Sequence, residues 1–390
     1  MIQDPVGLAA ILLAVPAILF WLNENTPLKA LFQRVPVLIF AYFIPTLLSN
    51  IGVIPQSSPV YKWVMAVILP ASLLLLTLSV DIKGVFRLGP KALLLFLAGT
   101  AGIVIGGPIA LFLYGPWLPD DIWTGMAALS GSWIGGGVNF IAIGKSVGAT
   151  ESMLGMMVFV DVMVGYTWTG ILMYAAGRSE AFDRRIGADT AAIDTLKERV
   201  AAFQQKTLRI SGTTDFMVLL AVALGGAWIA EQLSHVLPPV GDFIGAFSWK
   251  IILITTAGIA LSFTRFRDYE GVGASKLGTV FLYMLIGTIG AGADVGKVLE
   301  YPMLMAMAVT WMLVHAAILL LVLWVLKAPL FFLAVGSQAN VGGVASAPIV
   351  ASVFHPSLAS VGVLLGVLGY VMGTYAGLLS AWILSWIAQY

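Results

Sequence analysis

Two short stretches combine polar side chains with broken helix propensity inside an otherwise apolar chain. The first, SGSWIGGGVNF (130–140), sets Ser130, Ser132 and Asn139 around Gly135, Gly136 and Gly137. The second, VGSQANVGGVASAP (335–348), sets Ser337, Gln338, Asn340 and Ser346 around Gly342 and Gly343, with Pro348 expected to stop the helix from continuing. Hydroxyls and amides of this kind can bind a polar solute and can also replace the water around a dehydrated cation. Glycine lets the chain turn tightly and lets a ligand approach the backbone. A half-helix that starts after Gly137 aims free N–H groups and a positive dipole end at the break, which favours an anion. A half-helix that ends before a break offers carbonyls, which favour a cation such as sodium. The substrate-binding candidates are Ser130, Ser132, Gly136, Gly137, Asn139, Ser337, Gln338, Asn340, Gly342, Gly343 and Ser346.

Asp161, in MMVFVDVMVGYTW, is the lone carboxylate deep in an apolar run. An ionisable group at membrane depth is costly and usually functional. It could ligate sodium or carry a proton, and Asn139, Asp161 and Asn340 form the candidate sodium set. The bland alternative is a structural, hydrogen-bonded Asp. Asp81 and Asp294 fall at segment ends, where a solvated helix-terminal carboxylate competes with an ion ligand. His315, in WMLVHAAILLL, fits an interhelical hydrogen bond better than a switch, and Glu231 and His235 need no function near a boundary. Trp21, Trp63, Trp117 and Trp249 fall where interfacial anchors belong.

Other chemistries find little footing. The absence of cysteine excludes disulfides, thiolate metal sites and cysteine nucleophiles. Three scattered histidines suggest no zinc site, and no cofactor is expected beyond a coupling ion, sodium or a proton. An aspartyl intramembrane enzyme needs two facing aspartates. A serine type would have only His315 as base, so no enzyme is expected. A phosphate-binding GxxxxGK[ST] loop is missing, so an ATP-driven pump would need a partner subunit. A passive channel commonly repeats identical filters around an axis, whereas these breaks are non-identical.

The elements that must hold these residues are membrane helices. Of 390 residues 60% are hydrophobic and 10% charged, and the mean hydropathy is +0.99. No soluble domain buries so much apolar surface, so the chain is an all-α polytopic membrane protein. The first segment lacks a basic n-region and a cleavage site and reads as a membrane helix. Spanning runs fall at about 6–22, 35–51, 60–80, 91–115, 153–176, 214–236, 243–264, 275–292, 301–326 and 358–387. The segments 121–149 and 329–355 are apolar but interrupted. The hydrophilic stretch 177–213 carries Ile193, Leu196, Val200 and Phe203 at helical spacing and predicts an amphipathic surface helix.

This linker separates two similar halves, 1–176 and 214–390. Gly131-Ser132 answers Gly336-Ser337, Gly136-Gly137-Val138 answers Gly342-Gly343-Val344 with a one-residue gap, and Gly165-Tyr166 answers Gly369-Tyr370. Charge bias orients them. With the basic 177–213 in the cytoplasm, a crossing 121–149 would put Lys29, Arg34, Lys83, Arg87 and Lys91 outside. A re-entrant hairpin puts them inside and leaves only Lys62, Lys145, Lys250 and Lys297 outside. The hairpin reading gives five crossings per half, which inverts the second repeat; twelve crossings with unwound helices is the rival. Two interrupted segments at matching positions of two repeats point to a transporter's substrate site. Close packing of small residues explains the glycines but not Asn139, Gln338 and Asn340.

With SNIGVIP, SPVY and GSWIGGGVNF in one chain, the sequence resembles the integral membrane family catalogued as domain of unknown function 819, the YjcL-like proteins, over residues 5–388. More distantly the halves resemble sodium-coupled inverted-repeat carriers of the glutamate, bile acid and 2-hydroxycarboxylate types. That resemblance implies an elevator arrangement. Its scaffold and dimer interface would be helices 6–51 and 214–264, and its mobile core 60–176 and 275–390. The expected function is a secondary active transporter for a small polar or anionic organic solute, driven by sodium or protons. It would be a multi-pass homodimer in the inner (plasma) membrane, its partners being the lipid bilayer and a small solute.

Overall fold

The computed structural model describes residues 1–32, 37–188, 193, 212–240, 244–292, 301–355 and 358–389. Asp294, Lys297, Leu196, Val200 and Phe203, singled out above, lie outside the described residues. The protein is an all-α polytopic membrane protein. Its principal helices are α1 (Pro5–Asn25), α2 (Val37–Asn50), α3 (Pro59–Leu78), α4 (Pro90–Tyr114), α5 (Ile122–Gly135), α6 (Gly137–Ser146), α7 (Glu151–Ala176) and α8 (Ser179–Ile186). After the linker come α9 (Thr213–Val236), α10 (Ala246–Ser262), α11 (Ala274–Ala291), α12 (Met303–Leu326), α13 (Leu330–Val341), α14 (Gly343–Phe354) and α15 (Ala359–Ile387).

Local sequence sets several starts. Proline stands in the first turn of α1, α3 and α4, where its missing N–H has no partner to lose. Asp4, Ser58 and Thr150 cap α1, α3 and α7 by accepting a backbone N–H two or three residues on. Among the described residues eight helices are long and apolar enough to cross a membrane. Two expected spans are shorter: α2 has 14 residues and α10 has 17. After α10 the chain turns by 92° into the 3-10 segment Arg265–Val272.

The interrupted segments are hairpins. At 1.5 Å per residue, α5 and α6 measure about 21 and 15 Å, and α13 and α14 about 18 Å each, too short to cross about 30 Å of hydrocarbon. Each pair folds back on itself. A methyl group on Gly144 would meet Ala128 Cβ at 3.0 Å, so α6 returns alongside α5. The rings of Phe331 and Phe354, at the two ends of α13–α14, lie 5.3 Å apart. Gly136 (φ +77°) and Gly343 (φ +58°) make the turns in a left-handed conformation that disfavours any side chain. Pro348 does not stop the second arm as expected. It lies early in α14, where only the bond to the Val344 carbonyl at the helix start is lost, and the helix continues to Phe354.

α15 shows how the hairpins are arranged. Its Gly362 and Gly366 pack against Ala347 and then Val344 of the second hairpin. Gly369 meets Ile134 and Ala339, and Gly373 and Gly377 then meet Gly135 and Gly131 of the first. Along one helix the contacts run from arm to tip in one hairpin and from tip to arm in the other. The hairpins therefore enter from opposite ends of the bundle and meet at their tips, where a Cβ on Gly343 would touch Gly136 Cα at 3.9 Å.

Candidate functional site

The hairpin tips are held by two kinds of contact. The first is a matched pair of asparagine latches. Asn139 Nδ2 donates to the Gly135 carbonyl (3.1 Å) and to the Tyr370 carbonyl on α15 (3.0 Å), while its Oδ1 accepts from Thr374 Oγ1 (2.8 Å). Asn340 Nδ2 donates to the Gly336 carbonyl (2.9 Å) and to the Phe96 carbonyl on α4 (2.9 Å), and its Oδ1 accepts from Thr100 Oγ1 (2.7 Å). In both cases the threonine stands four residues beyond the carbonyl. Both asparagines are fully buried. Small residues make the approach possible: a Cβ on Gly373 would press on Asn139, and one on Gly99 on Asn340.

The second contact is α7, one face of which serves both hairpins. Asp161 receives Ser132 Oγ (2.6 Å) and Trp133 Nε1 (2.8 Å), both from α5. Two turns on, Trp168 Nε1 donates to Ser337 Oγ (2.8 Å), and Thr169 Oγ1 accepts from Gln338 Nε2 (2.9 Å), both from α13. The pairs Ser132-Trp133 and Ser337-Gln338, one from each hairpin, thus dock on a single helix at Asp161, Trp168 and Thr169, at i, i+7 and i+8.

Ser337 also meets His315. His315 Nδ1 lies 2.9 Å from the Gly99 carbonyl, which can only accept, so Nδ1 carries the hydrogen. In the neutral ring Nε2 then accepts from Ser337 Oγ at 2.8 Å. The pair has the hydrogen bond of a nucleophile and its base. Both residues, however, are fully buried, and Ser337 Oγ already accepts from Trp168. This geometry is that of the interhelical bond expected of His315.

Gln338 leaves one group open. Its Nε2 also donates to Ser346 Oγ on the return arm (2.6 Å), whereas its Oε1 is buried and has no partner among the described residues. Turning the amide over would exchange one orphan acceptor for an orphan NH₂, with two donors unmet. The orphan acceptor sits four residues from the break at Gly342, where the last carbonyls of α13 also lack intrahelical partners. A buried carbonyl oxygen without a donor is the kind of group that a hard cation takes as ligand.

The remaining candidates are scattered. Ser130 Oγ donates to the Ala127 carbonyl and joins none of the others. Gly136 faces the ring of Tyr370 and Gly137 faces Leu282, each at 3.6–3.7 Å from a hypothetical Cβ. Asn139, Asp161 and Asn340 each have protein partners of their own, and no two of them share a hydrogen bond. Asp81 caps the short helix Ile82–Arg87 and pairs with Arg267 at 2.8 Å; it is helix-terminal as weighed, but buried rather than solvated. Thr100, Thr374, Trp168 and Thr169 were missed by the sequence reading. Only their helical spacing, aligned with partners unknown in advance, could have marked them.

A family model described as a protein of unknown function, DUF819, matches residues 10–387. The uncharacterized membrane protein YjcL of Bacillus subtilis (strain 168) is 25% identical over 349 residues, which is 84% of this chain and 85% of that relative.

Proposed function

The chain belongs to this DUF819 family of integral membrane proteins, and from that premise we propose that it is a secondary active transporter of a small polar or anionic organic solute. Sodium or a proton drives symport, the two halves are inverted repeats, and the hairpins with α3, α4, α7, α11, α12 and α15 move as the core of an elevator. α1, α2, α9 and α10 form the scaffold of a homodimer in the cell's inner (plasma) membrane. No other cofactor takes part.

The observation that carries this reading is the meeting of two opposed, broken hairpins at Gly136 and Gly343, beside the unpaired Gln338 Oε1. Irregular backbone and orphan polar groups persist at such depth only where they are buried in protein or face a wet cavity. Paired broken segments are the usual place for solute and coupling ion. In this scheme Gln338, Ser346 and the last α13 carbonyls surround the cation. Asp161, two turns away along α7 on the other hairpin, offers a second, separate carboxylate for sodium or a proton, and the glycine turns face the solute. A hydrolytic role for Ser337 and His315 is disfavoured by their burial and by the hydrogen bond that Trp168 gives to the serine.

The test is thermal stability of the purified protein in sodium against potassium from pH 5 to 8, followed by solute uptake into vesicles under imposed sodium and proton gradients. A sodium-specific or pH-specific rise in Tm with gradient-driven uptake is expected. No response to any ion and no uptake would overturn the reading.

A further inference from the structure

The charge rule leaves Lys62, Lys145 and Lys250 as exceptions, expected on the side opposite the basic linker, and the structure brings these three together. Lys62, Lys145 and Lys250 line one cavity of about 550 Å³, within the size range of small-molecule sites. They come from three separate elements, the start of α3, the end of α6 and α10, so no local repeat explains their convergence.

Two of the three are neutralised. Lys145 pairs with Glu151 at 2.7 Å, and the buried Lys250 pairs with Glu231 at 2.6 Å. Lys62 makes no ion pair among the described residues, so it is the charge still available to a ligand. Beside it in sequence, Tyr61 also lines the cavity and is only 6% exposed, yet its hydroxyl has no hydrogen-bond partner among the described residues. A buried polar group without a partner costs free energy and calls for an explanation. Met65, Ala66 and Phe247 supply apolar wall. Met65 and Ala66 lie in Val64–Ile68, a π-helical interruption of α3, and such interruptions recur at functional sites.

We propose that this cavity binds a small organic monocarboxylate. The carboxylate takes the free ammonium of Lys62 and the hydroxyl of Tyr61, and a compact apolar body lies against Met65, Ala66 and Phe247. One unpaired cation and one neutral donor match a single negative charge better than a phosphate dianion. Glu151 is already held by Lys145, so the cavity does not offer a free carboxylate to a cation. The site lies between the base of the first hairpin, through Lys145, and the scaffold helix α10, through Phe247 and Lys250. It would be where the solute first docks from the side opposite the linker; that last step rests on the transporter reading, whereas the binding itself does not.

The experiment is calorimetric titration of the purified full-length protein with potassium isovalerate and benzoate, and with isovaleramide and benzamide, their neutral counterparts. Inorganic phosphate serves as the plain anion. The carboxylates should bind and the amides should not. Lys62→Gln, at an exposed position, should raise Kd about tenfold or more, Lys62→Arg should keep most of the affinity, and Tyr61→Phe should weaken binding severalfold without lowering the Tm of the empty protein. Absence of carboxylate binding, binding unchanged by Lys62→Gln, or equal binding of phosphate would overturn the proposal. Uptake into vesicles separates the two readings. Binding without gradient-driven uptake keeps this site and sinks the transporter, and uptake without binding in the cavity does the reverse.

Discussion

Asn139 and Asn340 stand in the two hairpins as counterparts in bonding though not in position: each closes the same three hydrogen bonds, but Asn139 follows its break and Asn340 precedes its own. Aligning the two hairpin sequences by their glycines sets Asn139 against Ala345 and Asn340 against Ile134. The latch has therefore been met on opposite arms. What the two hairpins share is the demand that a tip without regular helix bonding be tied to a continuous helix, α15 in one case and α4 in the other.

Replacing either asparagine by alanine removes three hydrogen bonds, each worth about 0.5–1.5 kcal/mol, while the groups left behind keep other partners: Thr374 Oγ1 has Thr255 Oγ1 and Thr100 Oγ1 has the Phe96 carbonyl. Asn139→Ala and Asn340→Ala should lower Tm by comparable amounts. Ser146→Ala, which removes a hydroxyl bonded within its own helix, should change it little. In a double-mutant cycle Asn340→Ala and Thr100→Val should couple, while Asn340→Ala and Thr374→Val should add. Additivity in both would show that the threonines are not part of the latches.

The glycines of α15 offer a second check. In a helix interior alanine is favoured over glycine by about 1 kcal/mol, so Gly→Ala should stabilise wherever there is room. Gly170 on α7 has nothing within 4 Å of an added Cβ, and Gly170→Ala should raise Tm. At Gly366 the Cβ would meet the Val344 nitrogen at 2.7 Å, and at Gly373 the Gly135 Cα at 2.6 Å. Both are backbone atoms, which cannot swing aside, so Gly366→Ala and Gly373→Ala should lower Tm by separating a hairpin from α15. Equal behaviour of all three would mean that the tips are loosely packed.

Much of this architecture was legible because hydrophobic length and glycine placement are local properties. The runs of apolar residues gave the helices, and GGG at 135–137 and GG at 342–343 gave the turns. Asp161 stood out because a charge in an apolar run is conspicuous in one dimension. What could not be read were the partners. Thr100 and Thr374 look like any serine or threonine satisfied on its own helix until α4 and α15 are brought against the tips. Trp168 reads as a helix residue like any other until Ser337 arrives. The lysine cluster was visible only as exceptions to a charge rule, since Lys62, Lys145 and Lys250 are far apart along the chain.

Asp183 lies in α8, outside the spanning helices, and its Oδ1 accepts the N–H of Leu330 (2.8 Å) at the start of the second hairpin. Burial pushes its carboxyl above the ordinary value, the Leu330 bond opposing this only in part. A carboxyl whose folded pKa exceeds its unfolded one contributes stability that is complete below the unfolded value, near 3.8, and is lost as pH rises through the folded one. Asp183→Asn keeps the acceptor and removes the titration, so Tm should fall less between pH 4 and 7 than in the wild type. Asp183→Ala removes the cap and should cost about 0.5–2 kcal/mol throughout. Indistinguishable pH profiles for Asp183→Asn and wild type would mean that the carboxyl titrates alike in both states.

Gln338 decides between a site and a strut. Were its amide only a brace between Thr169 and Ser346, the buried Oε1 would be a cost carried without return, and Gln338→Met, similar in length and apolar, should leave ion responses unchanged. If Oε1 is a cation ligand, the same substitution should abolish the rise in Tm caused by sodium over potassium, because an anhydrous cation losing one of its oxygens has no water to replace it in a buried setting. Gln338→Glu separates the readings further. A carboxylate there would strengthen sodium binding and make it depend on pH, gaining as pH rises through the carboxyl's pKa, whereas in a strut it would be a buried charge without a counterion, destabilising in either salt. Asn139→Ala should lower Tm in both salts while preserving the difference between them, since that latch lies on the other hairpin and its loss is a loss of packing.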